Sequence, residues 1–168
     1  MIHKKEQLLF LSYLSDLLEN PHVLSMGNFV QHGSVTTLEH ALCVSWLAFL
    51  ICRRLRKDPR ETVRGALLHD LYLYDWHSRV TKTSAHRHFH GFTHPGIALK
   101  NANRFFTLTA REQDIICKHM WPLTIIPPRY LDSYIVCLAD KICSAKETFH
   151  RYGDVYPWRE YLRAGTLR

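Results

Sequence analysis

Apolar residues recur at three- and four-residue spacing through most of the chain, a pattern that predicts helices from end to end. Leu8, Leu11, Leu14 and Leu18 mark the first of them, and Asn20-Pro21 stops it. A polar stretch with glycines, Gly27 to Ser34, follows. Thr36 and Glu39 then form a capping box that opens a long helix running to about Lys57. Asp58, Pro59 and Glu61 restart a helix, with an N-cap, a first-turn proline and an early acid, and it carries Val63 to about Tyr74.

From Asp75 to Thr93 the periodicity is lost, and His, Arg, Lys, Ser and Thr predominate, which predicts a long functional loop. Pro95 suits the first turn of the next helix, marked by Ile97, Ala98 and Phe105. Thr109 and Glu112 make a second capping box, and Pro122 ends that helix soon after His119. A last long helix is expected from about Arg129 to Arg151, with a short packed helix in the tail around Pro157 and Trp158. No segment alternates as a central strand should, and there is no repeat or linker. The expected architecture is an all-α, single-domain helical bundle over residues 1–168.

Composition adds three constraints. Apolar residues make up 46%, enough to build a core in a 168-residue chain without staples. The excess of 22 basic over 15 acidic residues gives +7 and favours small anionic, phosphorylated partners. No run of basic residues interleaves with aromatics, so nucleic acid is not indicated. The five cysteines contain no Cys-x-x-Cys pair and read as reduced thiols in a cytoplasmic core. The start lacks the apolar run of a secretory signal, and Ala41 to Cys52 is well short of the roughly 20 residues that span a bilayer. A cytoplasmic protein without a membrane segment is expected.

The twelve histidines change the picture most. His40 shares a helical face with Val44, Leu47 and Ile51; His119 follows Ile115 and Ile116; Asp140 lies with Val136 and Cys137. His69 and Asp70 stand in a run, Gly65 to Tyr72, that is apolar almost all round, and His94 precedes Ile97 and Ala98. A carboxylate among apolar residues is costly unless it is paired, hydrogen-bonded or bound to a cation. Two acids and four histidines on five segments, each where a hydrophobe is expected, share one remedy: a common cation. Nitrogen and oxygen donors without thiolate suit a divalent first-row transition metal (Fe, Mn, Ni, Co or Zn), and six are enough for two ions sharing a carboxylate.

The order and spacing of these residues resemble the HD-domain superfamily of metal-dependent phosphohydrolases, over about residues 30–150. Its histidine, His-Asp doublet and distant aspartate match His40 in Thr37-Leu38-Glu39-His40, His69-Asp70 in Leu67-Leu68-His69-Asp70, and Asp140 in Leu138-Ala139-Asp140-Lys141. The two further histidines of binuclear members match His94 in Thr93-His94-Pro95-Gly96 and His119 in Cys117-Lys118-His119-Met120. The resemblance implies that His40, His69, Asp70 and Asp140 hold one metal. Asp70, His94 and His119 would hold the second, with Asp70 bridging. It also implies that His69 and Asp70 are central to catalysis, and that a metal-bound hydroxide attacks phosphorus in an ester or anhydride of a nucleotide or dinucleotide.

Two other activities fit the same resemblance. A branch of the superfamily uses this ligand set as a mixed-valent di-iron oxygenase, and a third reading is a metal- or nucleotide-binding regulatory module without chemistry. The Gly-Tyr-Pro motif of the subgroup that cleaves cyclic dinucleotides does not follow the signature; Gly153 to Pro157 lies beyond the last aspartate. For substrate contacts, Lys141 follows the last ligand directly, and His90 is the nearest of His86, His88 and His90 to His94. Gln31 and His32 lie just before the first signature helix, within reach of the mouth of such a site. Trp121 is placed to stack or pack, Tyr72, Tyr74 and Trp76 read as core, and Arg64 and Lys118 as a solvated face.

Overall fold

The computed structural model describes residues 4–32, 35–74 and 90–149. Helix α1 (Lys4–Leu18) leads to a short α2 (Pro21–Leu24), which Asn20 caps by accepting a hydrogen bond from the His22 N–H, and then to a 3-10 turn, Ser25–Asn28. Strands β1 (Val30–His32) and β2 (Val35–Thr36) pair antiparallel. Four longer helices follow: α3 (Thr37–Arg54), α4 (Arg60–Leu68), α5 (His90–Phe105) and α6 (Ala110–Lys118). Helix α7 (Leu131–Phe149) comes last of the described elements. The fold is all-α, with the small hairpin as its one departure among the described residues. That hairpin occupies the polar stretch before Thr36, too short for an alternating pattern to register.

Both predicted capping boxes form. Thr36 Oγ1 accepts from the Glu39 N–H while Glu39 accepts from the Thr36 N–H, and Thr109 and Glu112 repeat the arrangement on α6. Helix α3 is central. One side joins a cluster with Phe10, Leu14 and Leu17 of α1 and Leu67 and Leu68 of α4; the other joins Ala66, Ile115, Val136 and Ala139. Phe10 meets Trp46 edge-on at 5.1 Å and Phe49 at 5.7 Å. Burying such a ring stabilises by about 1.5–3 kcal/mol, with about 0.5–1.5 more for its aromatic geometry. The buried face of α1 therefore runs through Phe10, Leu14, Leu17 and Leu18, and Leu8, expected on it, is exposed. Among the described residues no helix is long and apolar enough to cross a membrane.

Three boundaries differ from expectation, and two of them shape the site. Helix α3 stops at Arg54, just short of Lys57. Helix α4 stops at Leu68 instead of continuing to Tyr74, so the His69-Asp70 doublet lies at its C-terminus and not within it. No glycine or proline signals that stop: Leu73 adopts φ 57°, and the His69 side chain takes up the Ala66 carbonyl. Helix α5 begins at His90, so Pro95 lies inside it and His94 belongs to its early turns. Residues 75–89, with His86, His88 and Trp76, and the tail from 150 onward lie outside the described residues.

Candidate metal centre

Five segments deliver the six candidate donors. His40 is the fourth residue of α3, and His69 and His119 are the C-cap residues of α4 and α6. Asp70 follows His69, His94 comes from α5, and Asp140 from the middle of α7. All are buried: His40 and His69 fully, Asp140 the least at 9%.

His69 and His119 share one local solution. The last carbonyls of a helix lack intrahelical partners. His69 Nδ1–H donates to the Ala66 carbonyl at 2.7 Å and His119 Nδ1–H to the Ile116 carbonyl at 2.9 Å. Each hydrogen bond fixes the ring and presents Nε2 to the centre. His40 reaches the same state through a carboxylate, with Nδ1 2.9 Å from both oxygens of Glu147. Such partners on the outer nitrogen are the usual support of metal-binding histidines.

The centre is arranged around Asp70, whose two oxygens face different groups. Oδ2 lies 3.4 Å from His69 Nε2 and 4.0 Å from His40 Nε2, and accepts from Gln31 Nε2 at 2.8 Å. Oδ1 lies 3.3 Å from His94 Nε2 and 3.7 Å from His119 Nε2, and those two nitrogens are 2.8 Å apart. Asp140 Oδ1 stands 3.2 Å from His40 Nε2 and 4.0 Å from His69 Nε2. Atoms about 2.0–2.2 Å from one ion stand roughly 3–4 Å from one another. His40, His69 and Asp140 form one such group, and His69, Asp70 and His119 another.

Electrostatics describe the same cluster. Burial opposes charge on His40, yet hydrogen bonds to Asp140 and Glu147 raise its pKa well above the ordinary value. Burial also opposes a raised His69, and the Asp70 charge prevails. For Asp70 burial works against ionisation, but His69 and His94 hold its pKa well below the usual range. Asp140 is lowered against its burial by His40. His119 goes the other way: burial, joined by repulsion from His69 and His94, lowers it to about 3. A neutral imidazole with Nδ1 committed leaves an Nε2 lone pair available as a ligand.

The donor set fits a divalent cation on a direct structural test. His69 Nε2 and Asp70 Oδ1 are buried without a hydrogen-bond partner. A polar atom so placed costs about 1–3 kcal/mol, and more on a charged group. A cation among the donors would satisfy both atoms at once.

Above the donors lies a cavity of about 380 Å³ walled by Gly91, Met120 and Leu123, with Gln31, Lys141 and Ser144 among its polar lining. Lys141 Nζ donates to the carbonyls of Cys137 at 3.4 Å and His119 at 3.5 Å, so its charge stands at the edge of the cavity. His90 opens α5, and its side chain lies outside the described residues, as does that of His32. Gln31 does reach the site, as part of a network: its Oε1 accepts from the hydroxyl of Tyr72, and Thr37 Oγ1 stands 3.3 Å from that same hydroxyl and 3.4 Å from Gln31 Oε1.

Glu147 was not among the sequence candidates, although it lies at helical spacing from Asp140 through Ser144. Ser144 Oγ donates to Asp140 at 3.2 Å. Arg64 and Lys118 play structural parts instead of forming a solvated face. Arg64 is held by Asp16 at 2.6 Å and Glu112 at 3.0 Å, and Lys118 by Asp114 at 3.0 Å. Trp121 packs edge-on against Tyr134. Tyr74 is half-buried, and Cys117 is exposed, so neither belongs fully to the core.

A helical domain that converges imidazoles and carboxylates from five segments defines the class: an all-α domain with a buried cluster able to hold divalent metal. The family model for the HD domain matches residues 37–145, and the chain belongs to that family, whose superfamily is one of metal-dependent phosphohydrolases. The match spans all six candidate donors, and Glu147 lies two residues beyond it. No curated protein and no solved structure matches the chain.

Proposed function

We propose that this protein is a metal-dependent hydrolase of small phosphate esters or anhydrides, a nucleotide or dinucleotide among them, acting at a two-cation centre bridged by Asp70. The observation that carries the reading is the division of labour at Asp70. One oxygen faces His40 and His69, and the other faces His94 and His119. A carboxylate so divided suits a bridge between neighbouring ions. Bound cations would supply a hydroxide near neutral pH and neutralise the phosphoryl oxygens.

The chain's own residues prepare that chemistry. Gln31, braced by Tyr72, holds Asp70 Oδ2 in place, and Glu147 fixes the His40 ring. Lys141 brings a positive charge to a phosphate entering the cavity. Met120 and Leu123 offer an apolar wall to the rest of the substrate. The basic balance of the chain favours approach of an anion.

The test is phosphate release from a panel of nucleotides by metal-free protein resupplied with manganese, cobalt, nickel or iron. Release that depends on metal and falls to background in Asp70→Ala supports the reading. Equal release from Asp70→Ala, or oxygen consumption with iron and no phosphate release, would overturn it.

A further inference from the structure

We propose that Cys43 and Cys143 form a peroxide-responsive dithiol whose closure to a disulfide fastens α3 to α7 beside the metal centre. The two sulfurs are 3.2 Å apart, one on each helix. Each cysteine lies three residues, about one helical turn, beyond a candidate donor: His40 precedes Cys43 and Asp140 precedes Cys143. The same helix pair is already joined by His40 with Asp140 and by His40 with Glu147. Closure to a bond of about 2.05 Å asks the sulfurs to approach by roughly 1.2 Å, within the reach of two side-chain rotations.

The chemistry has a natural order. Cys143 is buried, 1% exposed, whereas Cys43 is only half-buried. The Cys143 thiol donates its S–H to the Cys43 sulfur, and that bond together with burial keeps Cys143 protonated. Cys43 is the more exposed sulfur of the pair, so peroxide reaches it first and Cys43 is the attacking atom. Its sulfur takes the distal oxygen of hydrogen peroxide, giving a sulfenic acid and one water. The Cys143 sulfur then attacks the Cys43 sulfur, displacing the hydroxyl, which leaves as a second water with the thiol proton. Two thiols and one peroxide thus give one disulfide and two waters. The other cysteines are placed differently. Cys117 is exposed, Cys52 is buried with its thiol pushed up by that burial, and Cys137 donates to the Lys118 carbonyl, with burial pushing its thiol up to about 11.

The experiment treats the full chain with hydrogen peroxide, unfolds it, blocks remaining thiols with iodoacetamide and maps peptides without reduction. The expected product is a Cys43–Cys143 cross-linked peptide, lighter than its two parts by two hydrogens. It should vanish in Cys43→Ser and in Cys143→Ser and persist in Cys117→Ser. The oxidised protein should unfold at a higher temperature than the reduced one, and a thiol reductant should reverse the shift. Alkylation of both cysteines after peroxide, sulfinic acid at either without a bridge, or a bridge with no change in unfolding temperature would each overturn the proposal. All these readouts are independent of hydrolytic activity, so failure of the proposed function leaves this inference standing or falling by itself.

Discussion

At the scale of single residues, the centre depends on where protons sit on the outer imidazole nitrogens. His69 and His119 use backbone carbonyls left over at helix ends, whereas His40, inside a helix, needs Glu147. Glu147→Gln preserves the shape of that contact but removes its charge. Loss of such an outer partner typically weakens metal binding roughly 10–100-fold. We expect a loss of that size in a manganese titration, together with a lower unfolding temperature of the metal-free protein, because the buried His40–Glu147 pair loses one of its charges; an unaltered affinity would show that Glu147 does not support the ring.

The six candidate donors, which the structure brings together, stood out in the sequence because each interrupts an apolar pattern. Glu147 was not, since its neighbours Lys146 and Thr148 make it look like an exposed helix end. Its signal is the spacing Asp140, Ser144, Glu147, which repeats on one helical face.

At the scale of elements, the spacing of His69 and His119 is set one turn earlier. A Cβ added to Gly65 of α4 would stand 2.8 Å from Ile115 Cδ1 and 3.0 Å from its Cβ and Cγ2. The helices approach closely there because one of them carries glycine, and each histidine lies four residues beyond the contact. Their rings are then 4.8 Å apart. Ile115 is fully buried, so Gly65→Ala must move α4 or α6 rather than a loose side chain. Overpacking of this kind costs about 1–3 kcal/mol. Chemical denaturation should register that loss, and metal affinity should fall with it. Stabilisation by Gly65→Ala, from its better helix propensity, would contradict the close-approach argument.

Helix existence was readable from periodicity and capping boxes, whereas helix ends were not. The stop after Leu68 comes from a side chain and a positive φ, with no local composition to announce it. The early start of α5 hides behind the polar run from His86 to Thr93, which looks like loop.

At the scale of the molecule, buried charge is managed by pairing outside the centre as well as within it. Asp132 is buried, accepts from Thr62 Oγ1 at 2.5 Å and pairs with Lys57 Nζ at 2.8 Å, linking α7 to α4 and to the turn before it. Burial would raise its pKa, but Lys57 and Thr62 hold it below the ordinary 3.8. A carboxyl lowered in the folded state stabilises above its unfolded pKa, and that stabilisation is lost as pH falls through the folded value. Asp132→Asn should therefore cost about 2 kcal/mol near neutral pH, and the gap to wild type should close below pH 3.8. A gap that stays constant down that range would place the stabilisation in packing, not charge.

The all-α fold and the family were both legible in the sequence, as the HD-domain match over residues 37–145 bears out. The measurement that tests the account most directly is calorimetric titration of metal-free protein with manganese, comparing wild type with His119→Ala. Two ions per chain in wild type and one in the variant is the predicted result. A single ion in wild type, or two retained in His119→Ala, would contradict a centre bridged by Asp70.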